Sequence, residues 1–479
     1  MKHFSSANML DRAVLAVSPQ KGLSRISARS KARILMNFDA ASNGPRLRNF
    51  KSPGTDADAA SSGGRRKIRN RSRDLIRNAP FATRAQSVVV NNVVGRGVIP
   101  KVAAENDADQ KAASEAILGH LTSKDFDKYG DCNIFSQQRL VMGGVFESGE
   151  ILAVRYDRPS TSRLKLPFQV AILEIDYLDD RLQAYGGNEV VDGIEYDEEG
   201  VAIFYHIYRQ HPGSFWRRLT IKSDRIPADR VLHIRRLDRA GQKRGVPWLA
   251  PVMLTLGEMR DYQEAQILKQ KISALFAGVV TLPDDQKLDA DEKKDFLSGI
   301  EPGSFSVLEH GQTVDFSDPP KVDDYDAVMR LGLMAVAMGI GITYESISGD
   351  LSRVNFSSMR AGRLEMDANV VSWQTQVILD QYCEGVARWA LNAYRLQSLG
   401  KSASLSWTPQ ARPLVDPNKE IPSMLKSVEG GLKSRESYQR ACGDDPDQVH
   451  QERLADAARD AEVARATAVV PENKEGKVK

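Results

Sequence analysis

The sequence predicts an α+β protein, because helical and strand periodicities occupy different parts of the chain. From residue 328 to 397, apolar residues recur every three or four positions, which is the period of an α-helix. Between residues 135 and 208, β-branched and aromatic runs are separated by turn-forming clusters such as Tyr185-Gly-Gly-Asn, which predicts strands. A chain of 479 residues has room for two or three domain-sized units of this kind.

Two predicted helices flank a polar segment in the most strongly patterned part of the sequence. The first helix is predicted over Val328–Met338 and ends at Gly339 and Gly341, because glycine disfavours the continuation of a helix. The second helix follows Ser357 or Ser358, either of which can cap it, since a serine oxygen accepts hydrogen bonds from unpaired first-turn N–H groups.

The second helix carries two apolar stripes at helical spacing. The first stripe, which we predict to be its packing surface, consists of Met366, Val370, Trp373 and Val377. The next stripe consists of Ile378, Tyr382, Val386, Trp389 and Ala393. Together they predict one continuous helix of about forty residues, which is roughly 60 Å long at 1.5 Å per residue.

The segment Thr343–Phe356 between the two helices is rich in hydroxyl groups, and its charges nearly cancel, with Glu345 and Asp350 against Arg353. Irregular backbone needs hydrogen-bond partners that an apolar core does not offer. We therefore expect this segment to face water.

The composition excludes several classes of protein. No apolar run approaches eighteen residues, and the apolar stretch Ala13–Val17 is too short for the core of a signal peptide, so we expect no membrane association. Cys132, Cys383 and Cys442 are odd in number and far apart, which indicates neither a disulfide framework nor a zinc site and fits a reducing cytoplasm.

The charge is distributed unevenly along the chain. Residues 1–80 hold 17 of the 66 Lys and Arg residues but only 5 of the 63 Asp and Glu residues, which leaves 49 basic and 58 acidic residues for the remainder. The chain is therefore a basic arm on a mildly acidic body. The run Arg65–Arg77 contains seven basic residues; we interpret it as a solvated helix face, with a nucleic-acid contact as the alternative.

We predict no catalytic, cofactor or metal site. His206, His211 and His233 have no zinc-type spacing and are interpreted as structural, and the acidic run from 284 to 295 is interpreted as solvated surface. The phosphate-binding loop GxxxxGK(S/T) and the patterns HExxH, GxSxG and CxxC are all missing from the sequence. A metal-dependent nuclease or a packaging ATPase component is the enzymatic alternative, and no motif supports it.

The polar segment and its flanks resemble a known family. Gly341-Ile-Thr-Tyr-Glu-Ser-Ile-Ser-Gly-Asp-Leu-Ser-Arg-Val-Asn-Phe-Ser-Ser-Met-Arg-Ala361 is similar to the pattern of phage portal proteins of the lambda type, with Phe356 where the family usually has tyrosine. Other similar motifs are Asn92-Val-Val-Gly-Arg-Gly97, Gly241-Gln-Lys-Arg-Gly-Val-Pro-Trp248 and Val415-Asp-Pro-Asn-Lys-Glu420. The resemblance extends from about residue 9 to 460, through some eight motifs in the family's order.

The resemblance implies a portal fold with a β-rich wing, a helical stem, a projecting clip, a channel loop with a long helix, and a C-terminal helical crown, assembled as a ring. The implied divisions are a mobile basic arm (1–64), wing (65–250), first stem helix (251–278), clip (279–325), second stem helix (326–340), channel loop (341–357), long helix (358–398), wing return strand (399–425), crown helices (426–468) and disordered tail (469–479). The residues of the channel loop expected to face DNA are Tyr344, Ser346, Ser348, Asp350, Ser352, Arg353 and Asn355. A loop that only seals the subunit interface is the alternative.

The implied function is a ring of twelve subunits at one capsid vertex, through which double-stranded DNA passes during packaging and ejection. The implied partners are terminase, head-completion and connector proteins, scaffold and the major capsid protein, with assembly in the host cytoplasm and a final location in the virion. An acidic body suits a channel that must not hold DNA tightly, because tight grip of phosphates comes from clustered Lys and Arg. The alternative is a nucleic-acid-binding structural protein that acts through the basic arm.

Overall fold

A computed structural model describes residues 9–35, 54–159, 161, 163–215, 222–275, 279–281, 313–315, 324–410, 416–442, 444 and 446–468. The chain folds as two compact units, Met1–Asp56 and Ala57–Lys479.

The first unit contains two helices, α1 (Met9–Val17) and α2 (Pro19–Leu35). Helix α2 begins at Pro19, because proline is well accommodated in a first helical turn. Gly22 allows the two helices to approach closely, since a Cβ atom there would overlap the backbone of Leu15.

The second unit mixes helices and sheets, as the sequence predicted. Its helices are α3 (Ala57–Ser62), α4 (Arg65–Asn78), α5 (Pro80–Val93), α6 (Asp107–Leu121), α7 (Ile134–Ser148), α8 (Met253–Leu275), α9 (Tyr325–Ile340), α10 (Tyr344–Ser348), α11 (Phe356–Trp373), α12 (Glu384–Gln397), α13 (Pro417–Glu429), α14 (Arg435–Ala441) and α15 (Pro446–Ala468). Its strands are β1 (Ile99–Ala103), β2 (Glu150–Asp157), β3 (Phe168–Glu174), β4 (Ala184–Tyr185), β5 (Asn188–Val191), β6 (Ile194–Tyr196), β7 (Ala202–Tyr208), β8 (Ser223–Pro227), β9 (Val231–Arg235), β10 (Val279–Thr281), β11 (Thr313–Asp315) and β12 (Ser404–Thr408).

The strands pair antiparallel in four sheets, with the orders β3-β2-β9, β4-β5-β6-β7-β8, β1-β12 and β10-β11. Strands β6 and β7 pair as neighbours in sequence, and Ile194 lies opposite Tyr205. The β1-β12 pair places Val102 opposite Leu405, so the strand after the long helix returns to the first strand of this unit.

The three-stranded sheet is buried on both faces, and its residues alternate between two cores. Ile151 and Ala153 of β2 face the larger core, which also contains residues of α5, α7, α9, α11 and α12. Leu152 and Val154 face a smaller core shared with Ile194 and other residues of the five-stranded sheet. The helices that carry the predicted channel loop therefore rest on one face of this sheet.

The second unit begins at Ala57, a few residues before the predicted end of the arm at 64. The side chain of Asp58 accepts hydrogen bonds from the backbone N–H groups of Lys243 (2.8 Å) and Arg244 (2.9 Å), which tie α3 to the unit. Most of the predicted clip, 279–325, and all of the predicted tail, 469–479, lie outside the described residues.

Candidate functional site

The candidate site is the segment that joins α9 to α11, and its first residue is held by close packing. Gly341 ends α9 with a φ of 89°, which favours glycine. A Cβ atom at this position would lie 3.2 Å from the ring of Trp373. The carbonyl oxygen of Gly341 accepts a hydrogen bond from Nδ2 of Asn369 at 3.0 Å, so the start of the segment is fixed against α11.

The first half of the segment, residues 343–348, is named here the anchored half. Thr343 caps α10, and its Oγ1 lies 2.7 Å from the hydroxyl of Ser346. Ile347 is only 3% exposed, and Arg84 of α5 donates from Nε to the carbonyl oxygen of Ser346 at 3.0 Å. The expectation that the whole segment faces water is therefore wrong for this half, because the turn formed by α10 satisfies its backbone groups and buries one apolar side chain.

The second half, residues 349–355, is named here the exposed half. Gly349 ends α10 with a φ of 73°, and Leu351 is 59% exposed. Asp350 accepts hydrogen bonds from the hydroxyl (2.6 Å) and the backbone N–H (2.9 Å) of Ser352, and these bonds lower the pKa of the Asp350 carboxyl group. Arg353 lies 3.5 Å from Asp326 in an ion pair that is exposed on both sides and therefore contributes little stability.

The seven predicted DNA-facing residues are divided between these two halves. Tyr344, Ser346 and Ser348 lie in the anchored half and are partly buried. The other four, Asp350, Ser352, Arg353 and Asn355, lie in the exposed half, where Asp350 is partly covered and the other three are exposed.

Asn355, and neither of the predicted serines, caps the helix that follows the segment. Its Oδ1 accepts from the backbone N–H of Ser358 at 2.8 Å, and the Ser358 hydroxyl accepts from the backbone N–H of Asn355 at 3.1 Å. This reciprocal arrangement is a capping box, in which Ser358 stands at the third helical position instead of at the cap.

The four predicted packing residues of the long helix are all buried: Met366, Val370, Trp373 and Val377. The ring of Trp373 lies 4.8 Å from the ring of Trp248, which follows the three-stranded sheet in the chain. The helix is therefore attached to the same body that supports the anchored half.

The long helix is not α-helical throughout, and the prediction of one continuous α-helix is wrong at its middle. Residues Gln374–Cys383 form a π-helix between α11 and α12. Gln374 donates to the carbonyl oxygen of Val93 (2.9 Å), and Gln381 both accepts from the backbone N–H (2.9 Å) and donates to the carbonyl oxygen (2.8 Å) of Arg235. The spacing of apolar residues does not distinguish a π-helix from an α-helix. The glutamines beside the apolar stripe were the only sign in the sequence that this part of the helix makes other contacts.

The basic run in α4 is a solvated face only in part. Arg66, Lys67, Arg71 and Arg77 are exposed, whereas the other three basic residues are covered. Arg65 pairs with Asp192 at 2.5 Å, Arg69 pairs with Asp176 at 2.9 Å, and both arginines are buried. Arg73 also contacts Asp176, at 2.7 Å. The sequence interpretation was wrong for these three residues because the shortest ion pair of each is made with an aspartate more than a hundred positions away in the chain.

The histidines have carboxylate partners inside or beside the sheets. His206 lies 2.7 Å from Glu195, and the pKa of Glu195 is lowered to about 2, first by hydrogen bonds from Arg225. His233 lies 2.9 Å from Glu150, and burial lowers the pKa of His233 to about 4. Both histidines connect neighbouring strands, in keeping with a structural role.

One group of side chains has the composition of a metal site. Ligand atoms of Glu174, Asp176 and His211 lie within 4.8 Å of one another. Nη2 of Arg73 lies 2.9 Å from Glu174 and 2.7 Å from Asp176, so a guanidinium already supplies the positive charge that these carboxylates need.

Across the part of the chain that the structure describes, no helix is long and apolar enough to cross a membrane.

Comparisons with known proteins agree on one family. The model of a family described as phage portal protein, lambda family, matches residues 43–374. The probable portal protein of Halomonas phage phiHAP-1 is 25% identical over 420 residues, which cover 82% of this chain and 80% of that protein. The portal protein of Escherichia phage N15 is 22% identical over 497 aligned residues, which cover 89% of this chain and 90% of that protein.

A solved structure shows the same fold. A chain from the virion of a native gene transfer agent particle superposes with a TM-score of 0.50 at 13% identity. The superposition covers 83% of this chain and 96% of that one.

Proposed function

The chain belongs to the lambda family of phage portal proteins, and from that premise we propose that it forms a closed ring at one vertex of the capsid. DNA would pass through the centre of the ring during packaging and again on ejection. The ring would also be the docking platform for terminase and head-tail connector proteins. Identical subunits that contact one another head to tail form such a ring when the rotation between neighbours closes.

The observation that carries this proposal is the surface of α9, which is apolar on two opposite sides. One side is buried in the larger core and includes Leu333 and Val336. The opposite side exposes Val328 (47%), Leu331 (67%) and Met338 (80%), at spacings that place them on one helix face. A helix that is hydrophobic all round is normally covered all round.

A second copy of the chain is the cover that we propose for this face. Exposed apolar residues continue on α8, at Leu254 and Leu268, and on α11, at Leu364 and Val371. A neighbour contributing the same three helices would bury them around the ring. The same contacts would repeat at every subunit, so no further component is needed to cover the face.

In this ring we assign the exposed half of the segment to the channel wall. Asp350 and Arg353 carry opposite charges, so this half has no net attraction for phosphates. The anchored half would fix its base, since it is bound to α5 through Arg84. This arrangement suits contact with a moving duplex, because it offers polar groups without a cluster of positive charge.

The divisions into arm, wing, stem, clip and crown are proposals of the same kind. The wing would hold the two larger sheets, and α8 and α9 would form the stem. Helices α14 and α15 would lie in the crown, and α13 would cross the boundary between the wing return (399–425) and the crown (426–468). Scaffold and capsid protein would contact the wing, with terminase and head-completion proteins at the clip. Assembly would take place in the host cytoplasm.

Electron microscopy of the purified full chain tests the ring. We expect closed rings with a central channel, twelve-fold by analogy with the family. Leu331→Glu should abolish rings by placing a charge in the subunit interface, and Leu331→Met is the matched control that keeps the face apolar. If Leu331→Glu assembles as well as Leu331→Met, this face of α9 is not the interface.

A nucleic-acid-binding structural protein is the second candidate, and the basic arm favours it. Helix α2 has five Lys and Arg residues and no acidic residue. Deletion of residues 1–64 separates the two functions. A portal should still form rings without these residues, whereas an arm-driven binder should lose its affinity for DNA.

A further inference from the structure

A cavity of about 360 Å³ lies between α4 and the five-stranded sheet, and none of its lining residues belongs to α9 or the candidate site. Its lining includes five arginines and three aspartates. The arginines are Arg65, Arg66, Arg69, Arg181 and Arg244, and the aspartates are Asp176, Asp180 and Asp192. We propose that this cavity binds a small oxyanion of the phosphate class.

The two most covered carboxylates of the lining are already shared between arginines. Asp176 pairs with Arg69 at 2.9 Å and with Arg73 at 2.7 Å. Asp192 pairs with Arg65 at 2.5 Å and with Arg244 at 2.9 Å. Arg244 also pairs with Glu150, so each of its guanidinium nitrogens already contacts a carboxylate.

Three arginines of the lining keep donors to spare. Arg69 is 6% exposed, and among the described residues only its Nη2 has a hydrogen-bond partner, since Nε is buried without one. Within the same part of the chain, Arg66 has no ion-pair partner and is exposed at the cavity. Arg181 donates from Nε and Nη2 to the hydroxyl of Tyr208, and its Nε lies 3.7 Å from Asp179; among the described residues its Nη1 has no hydrogen-bond partner.

The shape and charge of the cavity favour a small anion over a polymer. A volume of this size holds on the order of ten water molecules, at roughly 30 Å³ each, so a phosphate with part of its hydration shell fits. Asp180 also lines the cavity, and its carboxylate disfavours a polyanion such as DNA at the mouth. Arginine is suited to bind such an anion, because the N–H groups of its planar guanidinium match two oxygens of a phosphate.

Phosphate binding to the purified full chain tests this site. Isothermal titration with inorganic phosphate, at an ionic strength held constant with chloride, should show one saturable site per chain. Arg69→Gln should weaken binding about tenfold or more, because it removes a charge-assisted donor. Arg66→Gln and Arg181→Gln should each weaken it by a smaller factor, and both positions are exposed enough to leave the fold intact.

Arg71→Gln is the matched control, since Arg71 is an exposed arginine of the same helix that does not line the cavity. It should bind phosphate as the wild type does. The site is refuted if wild type shows no saturable phosphate binding, or if Arg66→Gln and Arg181→Gln bind as tightly as Arg71→Gln. The oligomeric state of each sample is measured separately, so this result is independent of ring formation.

Discussion

The anchored half and the exposed half of the segment between α9 and α11 are short neighbours in the chain with different surroundings. Each contains one aliphatic side chain close to Gly349, which separates the two halves. Ile347 in the anchored half is 3% exposed, whereas Leu351 in the exposed half is 59% exposed. The anchored half is held to the protein by the buried side chain of Ile347 and by one hydrogen bond from Arg84. No described side chain of the exposed half is buried, and its ion pair with α9 is exposed.

The largest expected change in the free energy of unfolding is at Trp373 of α11, the helix on which the segment rests. Trp373→Ala should lower the free energy of unfolding by about 3–5 kcal/mol, because a large buried ring next to Trp248 is replaced by a cavity. Chemical denaturation of the full chain measures this change. Val371→Ala, two positions away on the exposed side of the same helix, is the control and should cost less than about 0.5 kcal/mol.

A direct contrast between the halves comes from truncating one apolar residue in each. Ile347→Ala should lower the free energy of unfolding by about 2–5 kcal/mol, as expected for a buried aliphatic side chain. Leu351→Ala should change it by less than about 0.5 kcal/mol in the isolated chain. Equal losses for the two variants, measured by the same denaturation experiment, would show that the division into halves is wrong.

The N-terminal cap of α11, where the exposed half ends, should contribute less to the free energy of unfolding than Trp373 or Ile347. Asn355→Ala removes the side-chain acceptor of the capping box and should cost about 1 kcal/mol. Asn355→Asp retains an acceptor and should restore most of the stability. A loss of similar size for Ser357→Ala would instead support the serine cap that the sequence analysis predicted.

The two halves also show what the sequence could and could not predict. Helical spacing located the stripe from Met366 to Val377, because 3.6-residue periodicity is visible in a single chain. The anchored half was missed because a single isoleucine among hydroxyl residues gives no periodic signal. The pairing of Arg69 with Asp176 was missed for a related reason, since partners 107 residues apart are brought together only by the fold.

The cap of α11 illustrates a third kind of error. Asn355, Ser357 and Ser358 can all cap a helix, and residue preferences alone do not rank them in this context. Backbone geometry decides, because Asn355 has an extended conformation with a φ of −99° and a ψ of 166°.

The portal resemblance was carried by a long ordered string of motifs, and it was more reliable than any of these local choices.

The last prediction concerns the charge of the exposed half and depends on the proposed channel. Asp350→Lys should leave folding and ring assembly unchanged, because the hydrogen bonds of Asp350 to described residues stay within its own turn, to Ser348 and Ser352. It should slow DNA translocation in an in vitro packaging assay, since the new charge attracts passing phosphates, and the slowing should diminish as salt rises. Asp350→Asn is the control that removes the carboxylate without adding positive charge, so it should translocate DNA nearly as the wild type does. If Asp350→Lys packages DNA at the wild-type rate in low salt, the exposed half does not line the channel. If its rings fail to assemble, this half belongs to the subunit interface instead.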